Sequence, residues 1–191
     1  MVIAVGLSVR FPITSVSPLL ADIAQAYHLS APGISVLSAI PVLLFGLASP
    51  LAPLLVSRLG LERAITVLLA ALALATLLRP LSTPTLFIGT IIVGATIALL
   101  GILAPQIIRH ALPRRGGFWT GIYTTSFGVS AAAGAAVSVP LFHLLDDQVG
   151  AALAAWGIPL LIALGLVIGF APRLGLGLSA GPQRGGAPAE S

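Results

Sequence analysis

The chain has 191 residues, of which 58% are hydrophobic and only 7% are charged, against about 25% charged residues in an ordinary soluble domain. Together with a mean hydropathy of +1.11, this composition indicates an integral membrane protein and excludes an ordinary soluble domain. There is no cysteine, which excludes disulfides, thiolate metal sites and cysteine nucleophiles. The nine basic residues are all arginines, and they stand at the ends of apolar runs rather than in a basic patch. We therefore interpret them as topology signals and expect no nucleic-acid partner.

The first apolar run, residues 2–21, has the length of a membrane-spanning helix, roughly 20 residues, and carries Arg10 near its middle. An arginine at that depth costs about 2.5–3.5 kcal/mol on insertion scales, so it normally lies where a polar cavity or a binding partner offsets the cost. Thr14 and Ser17 follow at i+4 and i+7, which places all three on one face of a helix. Two prolines loosen the backbone hydrogen bonding around this face.

Five further apolar runs follow, separated by short polar or proline-rich connections. We expect six membrane-spanning helices, over residues 2–21, 34–56, 64–78, 85–108, 118–145 and 149–171. The apolar run of the second is interrupted by three prolines, which a membrane-spanning helix tolerates when neighbouring groups satisfy its backbone, and the connection before it is expected at residues 22–33. The third is almost wholly Ala and Leu, so it should pack outermost. Residues 172–191 are rich in Pro, Gly and Ala, which predicts a disordered tail.

The arginines distinguish the two sides of the membrane. If successive connections lie on alternate sides of the membrane, seven arginines fall on one side. Arg79 falls on the other side, together with Asp22, Asp146 and Asp147. The positive-inside rule then places both chain termini in the cytoplasm. The predicted location is the bacterial inner (plasma) membrane, with the chain crossing the bilayer several times.

Few polar side chains lie within the predicted spans. On the fifth span, Tyr123, Ser126 and Ser130 follow one another at i, i+3 and i+7, which places them on one helix face. On the fourth, Gln106 lies one turn before Arg109. We expect Tyr123 to line a cavity, because it lies deeper than an interfacial anchor. Serines in membrane helices commonly bond back to their own helix, and this alternative stays open for Ser126 and Ser130.

All five acidic residues stand at predicted helix ends or in the tail, so no carboxylate balances Arg10 within the spans. A fixed positive charge without an acid suggests that an anionic or strongly dipolar solute completes the pair. The chain has no His-Glu-x-x-His motif for zinc, and the sixth span has no histidine to serve as a base for Ser130. An enzyme, a metal site or a bound cofactor is therefore not expected.

Five ordered blocks of the sequence resemble one known family. They comprise residues 10–20, 37–53, 59–64, 103–109 and 120–128. Together they are similar to the amino-terminal half of the bacterial cyanate and 2-nitroimidazole transporter family, which belongs to the major facilitator superfamily. The resemblance runs from about residue 5 to residue 171.

The resemblance implies an all-α, polytopic fold in which six helices form one half of a twelve-helix transporter, as a 3+3 inverted repeat. Solute would bind midway between the two halves and be released when they rock. The first, fourth and fifth spans would line the cavity, and the third and sixth would lie outermost. Two positions depart from the usual first-span motif, with Phe11 in place of proline and Ser17 in place of glycine. In the loop signature before the third span, Ser57 stands where aspartate is common.

These observations predict a permease that moves a small anionic or dipolar solute, such as cyanate or a nitroimidazole, by alternating access across the lipid bilayer. The expected substrate-binding residues are Arg10, Thr14, Gln106, Tyr123 and Ser126. Six spans cannot enclose a pathway between two halves, so the partner would be a carboxyl-terminal six-span half or a second copy of the chain. The alternative is a homo-oligomeric channel or a nontransporting interaction subunit.

Overall fold

The computed structural model describes residues 6, 9–111 and 116–170. This part of the chain consists of helices and turns without a strand, which confirms the all-helical prediction. The helices are α1 (Phe11–Thr14), α2 (Leu20–Ala26), α3 (Ala31–Ala48), α4 (Leu51–Leu59), α5 (Leu61–Leu78), α6 (Thr83–Ala111), α7 (Gly116–Leu144), α8 (Val149–Ala155) and α9 (Gly157–Phe170). A 3-10 turn, Arg79–Leu81, joins α5 to α6. The predicted tail, residues 172–191, lies outside the described residues.

Five helical stretches are long and apolar enough to cross a membrane. They are Ala31–Ala48, Arg63–Leu81, Thr83–Leu103, Gly117–Leu144 and Val149–Gly169. These correspond to the predicted second to sixth spans, and they make this a multi-pass membrane protein. Most of residues 2–8 of the first predicted span lie outside the described residues, so the count of six spans stays a prediction.

The second span breaks once among its described residues. Pro41 lies inside α3, and the break comes at Pro50, between α3 and α4. Pro53 falls in the first turn of α4, where the missing N–H would have no partner within the helix anyway. The span thus tolerates Pro41 and Pro53 within its helices, as expected of a membrane-spanning segment, and is interrupted at Pro50.

The connection predicted at residues 22–33 is also shorter than expected. The helix α2 continues to Ala26, and α3 already begins at Ala31. Asp22 lies in the first turn of α2, where a negative charge interacts favourably with the helix dipole. The turn-forming residues Pro32 and Gly33 belong to the start of α3 rather than to a loop, because proline is well accommodated in the first turn of a helix.

The centre of the bundle is formed by α5 and α6, with α9 packed on α5 and α3 packed on α6. Leu69, Leu72, Leu100 and Leu160 from these helices are 0% exposed. The third span is therefore central among the described residues, and its outermost position in a complete two-half transporter stays a prediction. Its Ala and Leu side chains, with no polar face to accommodate, allow close packing on more than one neighbour.

Burial differs strongly between the spans. Half or more of each span formed by α5 and α6 is buried, at 50% and 61%, whereas the figures for α3 and α7 are 11% and 22%. We call α5 and α6 the packed helices and α3 and α7 the open helices. Large apolar side chains are exposed on both open helices, among them Leu43 and Val137. The open helices therefore present apolar surface that this chain does not cover.

Candidate functional site

The first span is broken at residues 15–19, one turn after Arg10. The N–H groups of Ile13 and Thr14 donate to the Arg10 carbonyl at 3.2 and 3.1 Å, and α1 ends at Thr14. Pro18 has no N–H to give the Thr14 carbonyl, so the chain continues as turns until α2 begins. Because of these turns, Ser17 is exposed. The prediction of a helix face shared with Ser17 was wrong.

The guanidinium of Arg10 lies between two aromatic rings. Its Cζ is 4.3 Å from the centroid of the Phe127 ring and 5.7 Å from the centroid of the Phe45 ring. Phe45 belongs to α3 and Phe127 to α7, so both open helices contribute. A guanidinium over an aromatic face is stabilised by about 0.5–2 kcal/mol, depending on how far the pair is removed from water. This stabilisation offsets part of the cost of a charge at this depth.

Tyr123 lies beside this cation and is only 4% exposed. Its ring is tilted against that of Phe127, the ring nearest to the Arg10 guanidinium, with centroids 6.0 Å apart. A Cβ atom on Gly6 would lie 3.1 Å from Tyr123 Cδ2, so the first span approaches α7 closely here. The Tyr123 hydroxyl is buried and has no hydrogen-bond partner among the described residues.

Ser126 and Ser130 continue the same face of α7 but differ in their hydrogen bonding. The Ser126 hydroxyl donates to the Ile122 carbonyl at 2.8 Å, which is the back-bonding alternative left open above. Ser130 is 0% exposed, and its Oγ finds no partner among the described residues. The back-bonding alternative therefore describes Ser126 and not Ser130.

Thr14 and Gln106 occupy different surroundings. The Thr14 hydroxyl donates to the Arg10 carbonyl at 3.0 Å, and the side chain packs against Gly134 of α7, where there is no room for a Cβ. Gln106 is exposed towards the end of α6. Thr14 therefore supports the backbone around Arg10, and a role for Gln106 in orienting a solute stays a prediction.

Three buried polar groups of this site lack a hydrogen-bond partner within the described part of the chain: Arg10 Nε, Tyr123 Oη and Ser130 Oγ. Buried polar groups are normally paired, by protein or by ordered water. One cationic donor and two hydroxyls form a set suited to an anionic or dipolar solute, since hydrogen bonds to an anion are stronger than neutral ones. No group of three His, Asp or Glu side chains suited to a metal ion occurs in the described ranges.

Two buried residues near the break were not identified from the sequence. Arg79, interpreted as part of an exposed connection, is 2% exposed, and its Nη1 donates to the Pro12 carbonyl at 2.9 Å. Trp156, at the break between α8 and α9, stacks on Phe11 with ring centroids 4.7 Å apart. Neither contact follows from helical periodicity, because each joins residues more than 60 positions apart in the chain.

Comparison with known proteins gives one family and several curated relatives. The family model described as Major Facilitator Superfamily matches residues 2–189. An "Uncharacterized transporter YycB" of Bacillus subtilis is 37% identical over 164 residues, which are 85% of this chain and 41% of that protein. No solved structure gives a significant match.

Two further relatives come from Escherichia coli. A 2-nitroimidazole transporter is 35% identical over 141 residues, covering 73% of this chain and 36% of the relative. The cyanate transport protein CynX is 25% identical over 164 residues, covering 85% and 42%. The chain thus spans about two fifths of the length of the curated relatives it matches.

Proposed function

Because the chain belongs to the Major Facilitator Superfamily, we propose that it is the amino-terminal half of a bacterial inner-membrane transporter working by alternating access. The observation that carries the proposal is the Arg10 guanidinium, held between Phe45 and Phe127 of the open helices. Both chain termini would face the cytoplasm, as the arginine distribution predicts.

The solute in this proposal is a small anion or a strongly dipolar ring, of the kind represented by cyanate and 2-nitroimidazole. Arg10 provides the charge, and Tyr123 and Ser130 have hydroxyls free to donate. In the described residues no acidic side chain forms an ion pair with Arg10. A charge-assisted hydrogen bond from Arg10 to an anion would therefore satisfy a group that the chain leaves unpaired. Thr14, Ser126 and Gln106 complete the proposed binding face.

The partner in this proposal is a carboxyl-terminal six-helix half that covers the open helices. Their spans are only 11% and 22% buried within this chain, and the exposed residues are apolar. The relatives are more than twice as long as the matched region, which leaves room for a second half of similar size. The same cover would close a cavity over Arg10, because its aromatic neighbours belong to the open helices.

A transport assay tests the proposal. The chain is produced alone and together with the carboxyl-terminal half of the Bacillus subtilis relative, and each preparation is reconstituted into liposomes. We expect saturable uptake of labelled cyanate or 2-nitroimidazole only when both halves are present. Uptake by the chain alone would indicate a second copy as partner, or a homo-oligomeric channel if the flux does not saturate. No uptake of either solute by any preparation would contradict the proposed function.

Single cysteines can locate the partner, because the natural chain has none. Leu43→Cys on α3 and Val137→Cys on α7 should react with a maleimide in the chain alone and become protected when the second half is bound. Leu74→Cys is the matched control, because Leu74 is also exposed, at 58% against 62% for Leu43, but lies on a packed helix. Equal reactivity of Leu43→Cys in the two states would refute the assigned docking face.

A further inference from the structure

Arg79 is a second buried cation, and it lies against the break in the first span. Its side chain is 2% exposed, its Nη1 donates to the Pro12 carbonyl at 2.9 Å, and the two residues are 67 positions apart. Its Nε has no partner among the described residues. Among the described residues, the hydrogen bond of this guanidinium is therefore made to the carbonyl of Pro12, which lies two positions after Arg10.

The Pro12 carbonyl needs a donor because of how the first span ends. In a regular α-helix, the Val16 N–H would donate to the Pro12 carbonyl. Here the Val16 N–H donates to the Ile13 carbonyl at 3.2 Å instead. A buried carbonyl without a donor is unfavourable. The Arg79 guanidinium donates to the Pro12 carbonyl in place of the Val16 N–H.

The stem of Arg79 is fixed by close packing. A Cβ atom on Gly89 would lie 3.0 Å from Arg79 Cβ and 3.3 Å from the Ala75 carbonyl oxygen, so α6 approaches the start of the 3-10 turn closely. The next residue, Pro80, accepts a hydrogen bond from the Tyr27 hydroxyl at 2.8 Å. Burial raises the pKa of Tyr27, and nearby Arg79 offsets part of that rise, so this hydroxyl keeps the proton that it donates.

We propose that Arg79 is a positioning residue for Arg10: by holding the Pro12 carbonyl, it fixes the break that sets where the Arg10 side chain stands between the open helices. The effect of Arg79 on solute binding rests on the proposed function, whereas its effect on the break does not. Arg79 itself is too deeply buried to meet the solute. Its contribution is to the geometry of the site, and the charge at the site remains that of Arg10.

Trp156 reports on the break, because it stacks on Phe11, the residue between Arg10 and Pro12. In a Trp119→Phe background, which leaves Trp156 as the single tryptophan, the full chain is placed in nanodiscs and its tryptophan emission is recorded. Arg79→Gln should shift the emission and change its quenching by iodide, since the freed Pro12 carbonyl lets Phe11 move. Arg79→Lys keeps a charged donor and should restore part of the native spectrum. Arg63→Gln removes an exposed arginine and should change neither signal.

The cyanate affinity of the same variants is then measured by titration, in complex with the proposed second half. This affinity should change if Arg79 positions Arg10, and should not change if Arg79 only stabilises the fold. Arg79→Gln should weaken binding about tenfold, as happens when the hydrogen-bond partners that orient metal-ligating side chains are removed. Arg79→Lys should recover most of the affinity. An altered spectrum with unchanged affinity would overturn the positioning role, and an unchanged spectrum would overturn the assigned effect on the break.

Gly89→Ala is a second variant in case Arg79→Gln does not fold. The added methyl group presses on the Arg79 stem and on the Ala75 carbonyl while leaving the guanidinium in the chain. It should shift the Trp156 emission in the same direction as Arg79→Gln, and a native spectrum would again overturn the proposal. If the natural complex binds neither cyanate nor 2-nitroimidazole, the proposed function fails, and the emission of Trp156 still decides whether Arg79 fixes the break.

Discussion

Two buried hydroxyls of the open helix α7 differ from the buried hydroxyls of the packed helices. On the packed helices, the Thr76 and Thr90 hydroxyls each donate to a carbonyl of their own helix at 2.7 Å. On the open helix α7, the hydroxyls of Tyr123 and Ser130 are buried without a partner among the described residues. On α7 the Ser126 hydroxyl is paired with its own helix as well, so the unpaired hydroxyls there are those of Tyr123 and Ser130, which the proposal assigns to a solute. The difference distinguishes the helices that stabilise the chain from the face of α7 at which we propose that a solute binds.

The largest expected effect tests the packed side of this comparison. Leu72→Ala removes a side chain that is 0% exposed and should lower the free energy of unfolding by about 2–5 kcal/mol. Leu43→Ala, on an open helix and 62% exposed, should change the stability of the chain alone by no more than about 0.5 kcal/mol. Denaturant unfolding in detergent measures both. Similar losses at the two positions would remove the distinction between packed and open helices.

A smaller effect is expected at Tyr123. Tyr123→Phe keeps the ring on Phe127 but removes the hydroxyl that has no partner among the described residues. If this hydroxyl donates to the solute, cyanate should bind about tenfold more weakly, the equivalent of about 1.4 kcal/mol for one hydrogen bond. The stability of the solute-free protein should not fall. A stability loss without a change in cyanate affinity would assign Tyr123 to the packing of α7 alone.

The smallest expected effects are the changes in the free energy of unfolding when two buried hydroxyls are removed, and these changes should have opposite signs. Ser130→Ala removes an unpaired buried hydroxyl and should raise the free energy of unfolding by up to about 1 kcal/mol, because an unsatisfied polar group is costly to bury. Thr76→Val removes a paired hydroxyl and should lower it by about 1 kcal/mol. Thermal unfolding of the two variants compares them directly. A loss at Ser130 as large as that at Thr76 would mean that the Ser130 hydroxyl already has a partner.

The spans could be predicted from the sequence because hydrophobic runs of bilayer length depend on composition alone. The predicted runs at 85–108 and 118–145 agree with α6 and α7 within a few residues. The breaks were harder to place. Pro41 stays inside α3 while Pro50 ends it, because the effect of a proline depends on where its missing donor falls and on whether neighbours compensate.

The candidate site was predictable in part, since a charge at mid-span and the i, i+3, i+7 spacing on α7 are visible in the sequence. The aromatic neighbours of Arg10 were not, since Phe45 and Phe127 come from spans that only the tertiary fold brings together. Arg79 was misjudged for a related reason. A short connection with an arginine looks like a topology signal, and only packing against Gly89 and Pro12 reveals that it is buried.

The most direct test is the cyanate affinity of Arg10→Gln in a complex of the chain with the proposed carboxyl-terminal half, with Arg63→Gln as the matched control. Removing the charged partner of a buried anion should weaken binding by about 2 kcal/mol or more, which is about 30-fold in Kd. The control removes an equal charge from an exposed position and should leave the affinity unchanged. Cyanate binding by Arg10→Gln at the unaltered affinity would contradict the assignment of Arg10 as the anion-binding residue.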